Sequence, residues 1–339
     1  MTTTQRRTGW ALSALLALGL CSTAHAQSFC VFDPLGAQGD YASLGKDYQL
    51  AAKRWGVSID LITYTDDDKL YADFKAGKCD MASMIGMRAR EFNLFTGTLD
   101  APGVMGNYVE VREAMDLMAN AKVAKYMVQD NYEIVGVLPV GAAYSIVNDR
   151  KINSLESAQG HKVAIMGWDK TQKSMCDLMH VVAVPSTLSQ SGALFNKGKV
   201  DFIVAPAVMY KPLELSKGIG DKGGIIRRPL FEFSMQFVAL KDKFPDSFGQ
   251  QSRVYINQQV NHALGIIRNN EADIDNRQWI YALHSEVVEW DNSMRRIVSS
   301  MVKEGDFDPR MLGVLKRIRC KNEAEEPECA PTAAQQQSK

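Results

Sequence analysis

Phe74-Lys75-Ala76-Gly77-Lys78-Cys79-Asp80 and Phe195-Asn196-Lys197-Gly198-Lys199-Val200-Asp201 spell one phrase, F-x-x-G-K-x-D, 121 positions apart. Each reads as a helix ended by a left-handed Gly, with a charged pair at the mouth of the strand that follows. One such junction is common in α/β proteins. Two of them, each closing a similar unit, argue for paired lobes built alike.

Outward from the first junction, residues 29–32 form a short apolar run stopped by Asp33-Pro34-Leu35-Gly36. Leu44, Tyr48, Ala51 and Trp55 share one helical face, Gly56 ends that helix, and residues 57–62 read as a strand. Asp66-Asp67-Asp68 supplies a cap and negative charge for the next helix, and residues 81–85 are the third strand. Around the second junction, residues 163–166, 181–184 and 200–204 read as strands, with helices over 171–180 and from Ser186 or Thr187 to Phe195 between them. Both units are β-α-β-α-β with short connections, which makes parallel sheets. Residues 133–140 with 144–147, and later 231–240, are β-rich and read as two crossings between lobes. A helix is expected over 114–129, and residues 250–319 are nearly all helical in pattern. The expected organisation is lobe I over 27–140 plus 236–320, lobe II over 141–235, and a disordered tail over 321–339. On this reading each lobe carries its own sheet, and the two face each other across a gap that shuts.

The first 26 residues read as a signal peptide. Arg6 and Arg7 precede an apolar run over 10–20, and Ala24-His25-Ala26 is a processing site before Gln27. That run is shorter than the ~20 residues a membrane span needs, and no later stretch reaches that length without charges, so no direct membrane anchor is expected. Leu20 before Cys21 argues against lipid attachment. Removing the leader takes two Arg and no acid, so the balance of 39 basic and 39 acidic residues tips to about −2. No basic field exists to hold nucleic acid. A periplasmic protein acting as a monomer is expected. Of the five cysteines that remain, Cys320 and Cys329 can close a short loop, an odd one is left over, and the alternative for each is a small buried apolar residue.

Catalytic patterns are missing. The histidines His161, His180, His262 and His284 are scattered, no G-x-S-x-G occurs, and Gly218-Ile219-Gly220-Asp221-Lys222-Gly223 precedes a strand where a dinucleotide loop would open a helix. Neither cofactor nor metal is expected, and the chain does not read as an enzyme. Open parallel sheets bind ligands at the C-terminal ends of their strands. In the first lobe that selects Gln38 and Tyr41 after the first strand and Arg88 after the third, with Arg90 less favoured. Arg88 suits a carboxylate; its alternative is a surface pair with Glu91. In the second lobe the same rule selects Trp168, Lys170 and Thr171, where Trp168 could stack on a ligand or simply pack in the core. Pro206 and Tyr210 follow the last strand, while Tyr144 and Gln236 lie in the crossings and either line the cleft or pack as ordinary strand residues. The 16 Met residues read as core filler.

The two F-x-x-G-K-x-D stretches, with Ile152-Asn153-Ser154-Leu155-Glu156-Ser157-Ala158-Gln159-Gly160-His161-Lys162-Val163, resemble type II periplasmic solute-binding proteins. Within that class the chain is similar to the DctP-like receptors of tripartite ATP-independent periplasmic (TRAP) transporters, from about Phe29 to Arg319. The resemblance implies the bilobal periplasmic-binding-protein type II fold and a helical C-terminus. It implies a receptor that closes over a small organic solute, with an acid one option, and delivers it to the subunits of a membrane transporter. It also implies a Cys30–Cys79 disulfide. One departure stands out: where such receptors carry a carboxylate-clamping Arg after the Lys-hydrophobic pair, this chain has Ala164. Either Arg88 or Lys170 takes over, or the ligand is not a simple acid. The alternative reading is a ligand-free accessory protein of an envelope transport system, which a water-repelling or sealed cleft would favour.

Overall fold

The computed structural model describes residues 26–282, 284–325 and 327–330. Nearly all of the expected signal peptide, and residues 331–339, lie outside the described residues. The first unit runs β1 (Gln27–Phe32), α1 (Asp40–Arg54), β2 (Ile59–Tyr64), α2 (Asp67–Lys75) and β3 (Met81–Ile85). Short helices α3 (Gly86–Ala89) and α4 (Leu94–Gly97) lead to α5 (Tyr108–Met118), then β4 (Val128–Gln129) and the long β5 (Tyr132–Val147). The second unit is α6 (Leu155–Ala158), β6 (Lys162–Met166), α7 (Lys170–Met179), β7 (Val182–Ser186), α8 (Leu188–Asn196) and β8 (Phe202–Pro206). After α9 (Ser216–Ile219), β9 (Gly224–Leu240) returns, followed by α10 (Phe248–Ala272), β10 (Trp279–Ile280), α11 (His284–Lys303) and α12 (Pro309–Asn322).

The repeated phrase does one job twice. Phe74 and Phe195 are buried at their helix ends, and Gly77 and Gly198 sit at φ +74° and +63°, where a β-carbon would be strained. The aspartates that close each phrase accept from a backbone N–H at the start of the neighbouring strand: Ser28 N donates to Asp80 Oδ2 at 2.8 Å, and Lys162 N donates to Asp201 Oδ2 at 2.8 Å. Each unit therefore pins the start of its first strand to the start of its third.

The expectation of two separate sheets is corrected. Strands run in one hydrogen-bonded order, β2-β1-β3-β9-β5-β8-β6-β7. The crossings are two long antiparallel strands, β5 and β9, which belong to both lobes and join the two parallel halves. Their pairing slips at bulges around Pro139/Gly141 and Ala143/Tyr144, with Gly141 at φ +130°. Bulges bend and twist a ladder, so the continuous backbone changes direction between lobes. Pro229 lies inside β9 opposite Tyr144, where the register shifts and a missing N–H is tolerated.

What divides the molecule is its cores. One gathers Phe29, Tyr48, Leu70, Met81, Phe248 and Leu315 under the first unit and the C-terminal helices. Others form around Ile146, Phe195 and Ile203, and around Val163, Cys176 and Phe202. Three further expectations change. The helix over 114–129 is α5, started at Asn107, whose side chain accepts from Val109 N and Glu110 N; past Met118 the chain tightens into a 3₁₀ turn. The C-terminal helices are interrupted by β10, parallel to β9. Part of the expected tail is held by the fold: α12 reaches Asn322, Cys329 is bonded to Cys320, and Arg319 donates to Glu328 at 2.8 Å. Cys30–Cys79 is the second disulfide, and Cys176 is free and buried.

Candidate functional site

A cavity of about 320 Å³ lies between the lobes, at the C-terminal ends of β1, β3, β6 and β8 and along one face of the crossings. That volume is in the range of small-molecule sites, and close-packed interiors do not otherwise keep such voids. Phe231, Phe233 and Met235, alternate residues of β9, form its floor; Ala164 and Ala205 line it from the second lobe. Six methionines border it: Met87, Met166, Met175, Met179, Met209 and Met235. The expectation that methionine is core filler therefore holds for only part of the set.

Of the residues selected from the sequence, Tyr41 and Pro206 line this cavity. Gln38 is exposed in a 3₁₀ turn and Lys170 is exposed at the first position of α7. Tyr210 donates its hydroxyl to Gln278 Oε1. Tyr144 and Gln236 sit on the opposite face of the crossings. Gln236 is fully buried and donates to Thr96 O at 2.9 Å, while Tyr144 donates to Glu271 Oε1 at 2.7 Å.

Arg88 is 5 % exposed and committed within the protein. Its guanidinium donates to Asp67 Oδ2 through Nε at 3.1 Å and Nη2 at 2.8 Å, also meets Asp68, and lies between the rings of Tyr71 and Trp168, 3.8 Å from the Trp168 centroid. Burial pushes the Asp67 carboxyl upward against the pull of Arg88. Arg90, the less favoured candidate, reaches across to the second lobe and pairs with Asp169 at 2.8 Å. Asp169 also caps α7, accepting from Thr171 N and Gln172 N; burial raises its carboxyl, and Arg90 opposes that. Thr171 Oγ1 donates to Asp306 at 3.0 Å, and Gln172 Nε2 donates to the Met87 sulfur at 3.0 Å. Arg88, Trp168 and Thr171 are thus brought together as an interlobe seam beside the cavity.

Two features escaped sequence reasoning. The apolar face of β9 was legible as alternation in Phe231-Glu232-Phe233-Ser234-Met235-Gln236, but alternation usually means polar residues toward water. Here the polar face is buried too. Ser234 Oγ donates to Asp100 Oδ1 at 2.6 Å, and burial pushes Asp100 up to about 7 while Ser234 pulls it down. Glu232 is 3 % exposed with Oε2 unpartnered; burial first, then Glu271, Asp100 and Glu110, drives it well above the usual carboxylate range. Glu271 also accepts from the hydroxyls of Tyr108 and Tyr144. No sequence spacing brings residues 100, 110, 232 and 271 together. Among the described residues, no group of acidic, Cys or His side chains is arranged to hold a metal ion.

Residues 49–334 match the family model described as solute-binding protein AdeT 1/2. The chain belongs to that family. It is 40 % identical over 300 residues to the probable solute-binding protein AdeT1 of Acinetobacter baumannii, covering 88 % of this chain and 99 % of that one. The fold of this AdeT-family chain is that of the TRAP periplasmic solute-binding proteins. One from Ralstonia eutropha, solved with (S)-2-acetolactate, has a TM-score of 0.70 at 11 % identity, over 87 % of this chain and 99 % of that one. Another, from a Sulfitobacter species with β-D-galacturonate, has a TM-score of 0.67 at 13 % identity, over 86 % and 99 %. In this AdeT-family chain the position where an anion-clamping Arg was expected, Ala164, lies in the cavity wall.

Proposed function

We propose that this protein is an extracytoplasmic solute receptor that holds a small molecule in the interlobe cavity and presents it, with the lobes shut, to subunits of a membrane transporter. The observation that carries the reading is the cavity itself, at strand C-terminal ends and walled by both lobes. A ligand touching both walls favours the shut arrangement by its differential contacts, and a transporter recognises that shape. Export by the N-terminal leader and the two disulfides fit a periplasmic site of action. The family match supports binding as the role of the cavity.

Native mass spectrometry of the chain purified from its own periplasm tests this, followed by a thermal-shift screen of carboxylates, amino acids, sugars and neutral aromatics. The expected result is a retained molecule, or a rise in Tm with one class. A second reading, an accessory protein that uses the shut shape without a ligand, is favoured by the seam and by the water-repelling wall of the cavity. Arg90–Asp169 and Arg88–Trp168 hold the lobes together through the protein's own side chains. No retained mass and no stabilisation from any class would decide for it.

A further inference from the structure

Every charged side chain in the cavity wall except one already has a partner inside the protein. Asp33 accepts from Leu35 N at 2.9 Å and Ala42 N at 3.0 Å, and Lys211 is paired with Asp273 at 2.6 Å. Asp40, the exception, is exposed. The neutral polar groups are mostly spent as well. Gln172 accepts from Met166 N and donates to Met87, Ser191 donates to Leu188 O, and Asn270 donates to Ile266 O. Neither nearby arginine is available, because Arg88 and Arg90 answer Asp67 and Asp169. Tyr41 lines the cavity with a hydroxyl that has no partner among the described residues. Burial and the charges of Asp33 and Asp40 raise that hydroxyl, so it stays protonated and able to donate. Around these groups the wall is phenylalanine, aliphatic side chains and the six methionines.

A carboxylate entering here would lose its water and meet only Lys211, an exposed cation already paired with Asp273. A flat apolar molecule would bury its surface against the phenylalanines and methionines, whose sulfurs contact rings favourably and whose unbranched chains adapt to its shape. We propose that the solute of this cavity is an uncharged, largely apolar aromatic molecule, anchored by at most one hydrogen bond from Tyr41. This rests on the receptor reading above and replaces the acid option by a definite class.

The test titrates the exported full chain with N-phenyl-1-naphthylamine by fluorescence, and with benzoate, pyroglutamate and galacturonate by calorimetry. One-to-one binding of the naphthylamine, at least tenfold tighter than any of the three acids, is expected. Ala164→Phe fills the cavity without adding charge and should weaken the probe at least tenfold, with circular dichroism and Tm unchanged. Tyr41→Phe should weaken it two- to fivefold. Ala164→Arg should gain benzoate binding; if that variant does not fold, Ala164→Phe carries the test alone. An acid that binds wild type more tightly than the probe overturns the proposal and leaves the receptor reading standing. Probe binding that Ala164→Phe does not change overturns it too, by placing the probe elsewhere. If neither probe nor acid binds and no mass is retained by the native protein, this proposal and the receptor reading fall together.

Discussion

The two lobes share a plan and differ in what fills it. In the first, Tyr48 is ringed by Phe29, Trp55, Phe237, Phe248 and Tyr255, with centroids 5.5 to 6.5 Å away, and Cys30–Cys79 ties β1 to the start of β3. Helices α10 and α12 cover it. In the second, Ala164, Ala205 and Met209 line the cavity with small or unbranched side chains, while Tyr144, Phe195 and Trp279 share their core, and the buried Cys176 is unbridged, its thiol pushed up to about 11 by burial. Aromatic rings bury more surface per residue and lock in specific geometry. The comparison teaches that the first lobe concentrates its ring packing around Tyr48 and is tied by a disulfide, while the second keeps small and unbranched side chains where it meets the cavity and has no bridge.

The largest expected effect tests that contrast at the matched phenylalanines. Phe74→Ala should cost about 4–5 kcal/mol and Phe195→Ala about 3 kcal/mol, because Phe74 also packs edge-on against Phe92 at 5.2 Å. Urea unfolding measures both; equal losses would break the comparison. Next, replacing Cys30 and Cys79 by Ala should cost about 2–4 kcal/mol, given the 49-residue separation. The loss should appear as faster hydrogen exchange in β1–β3 while β6–β8 keep their protection; uniform loss would mean the lobes unfold as one.

A smaller change is expected at the seam. Arg90→Ala removes the cross-lobe partner of Asp169 and should shift the population toward an open form, at a cost of about 1–3 kcal/mol to the shut one. A larger radius of gyration in solution scattering reads it, and an unchanged value would remove the pair from lobe closure.

The smallest effect is in pH dependence. Asp100 and Glu232 both bind their protons more tightly when folded. Their contribution is therefore full below the unfolded carboxylate pKa of about 4 and is lost as pH rises toward the folded value, about 7 for Asp100. Glu232→Gln should flatten this decline and raise stability at pH 7.5 by about 1–2 kcal/mol. A pH profile as steep as that of wild type would show that Glu232 is not the group responsible.

Much of the plan of the two units could be read from residue order. The junction Phe74 to Asp80 and its echo at Phe195 to Asp201 carry their geometry locally, since a positive-φ glycine and a strand-opening aspartate act on neighbours a few positions away. Tyr41 and Pro206 were reachable because strand ends point to ligands in any open parallel sheet. Arg88 and Trp168 were selected by the same rule, yet they meet each other. Whether an arginine faces a solute or a neighbouring carboxylate depends on which element packs above it. The long crossings also misled, because Pro139, Gly141 and Pro229 look like strand stops and only bulged pairing with a distant strand accommodates them.

Local order thus determined the alternation of strands and helices, their duplication, the glycine junctions and the absence of an arginine at Ala164. Tertiary structure alone decided which charges are already answered. Arg90 and Asp169 are 79 residues apart, and Asp100 meets Ser234 across 134. An ion or a buried acid is stabilised by what surrounds it in space, and chain separations of that size carry no record of which side chains will come within 3 Å.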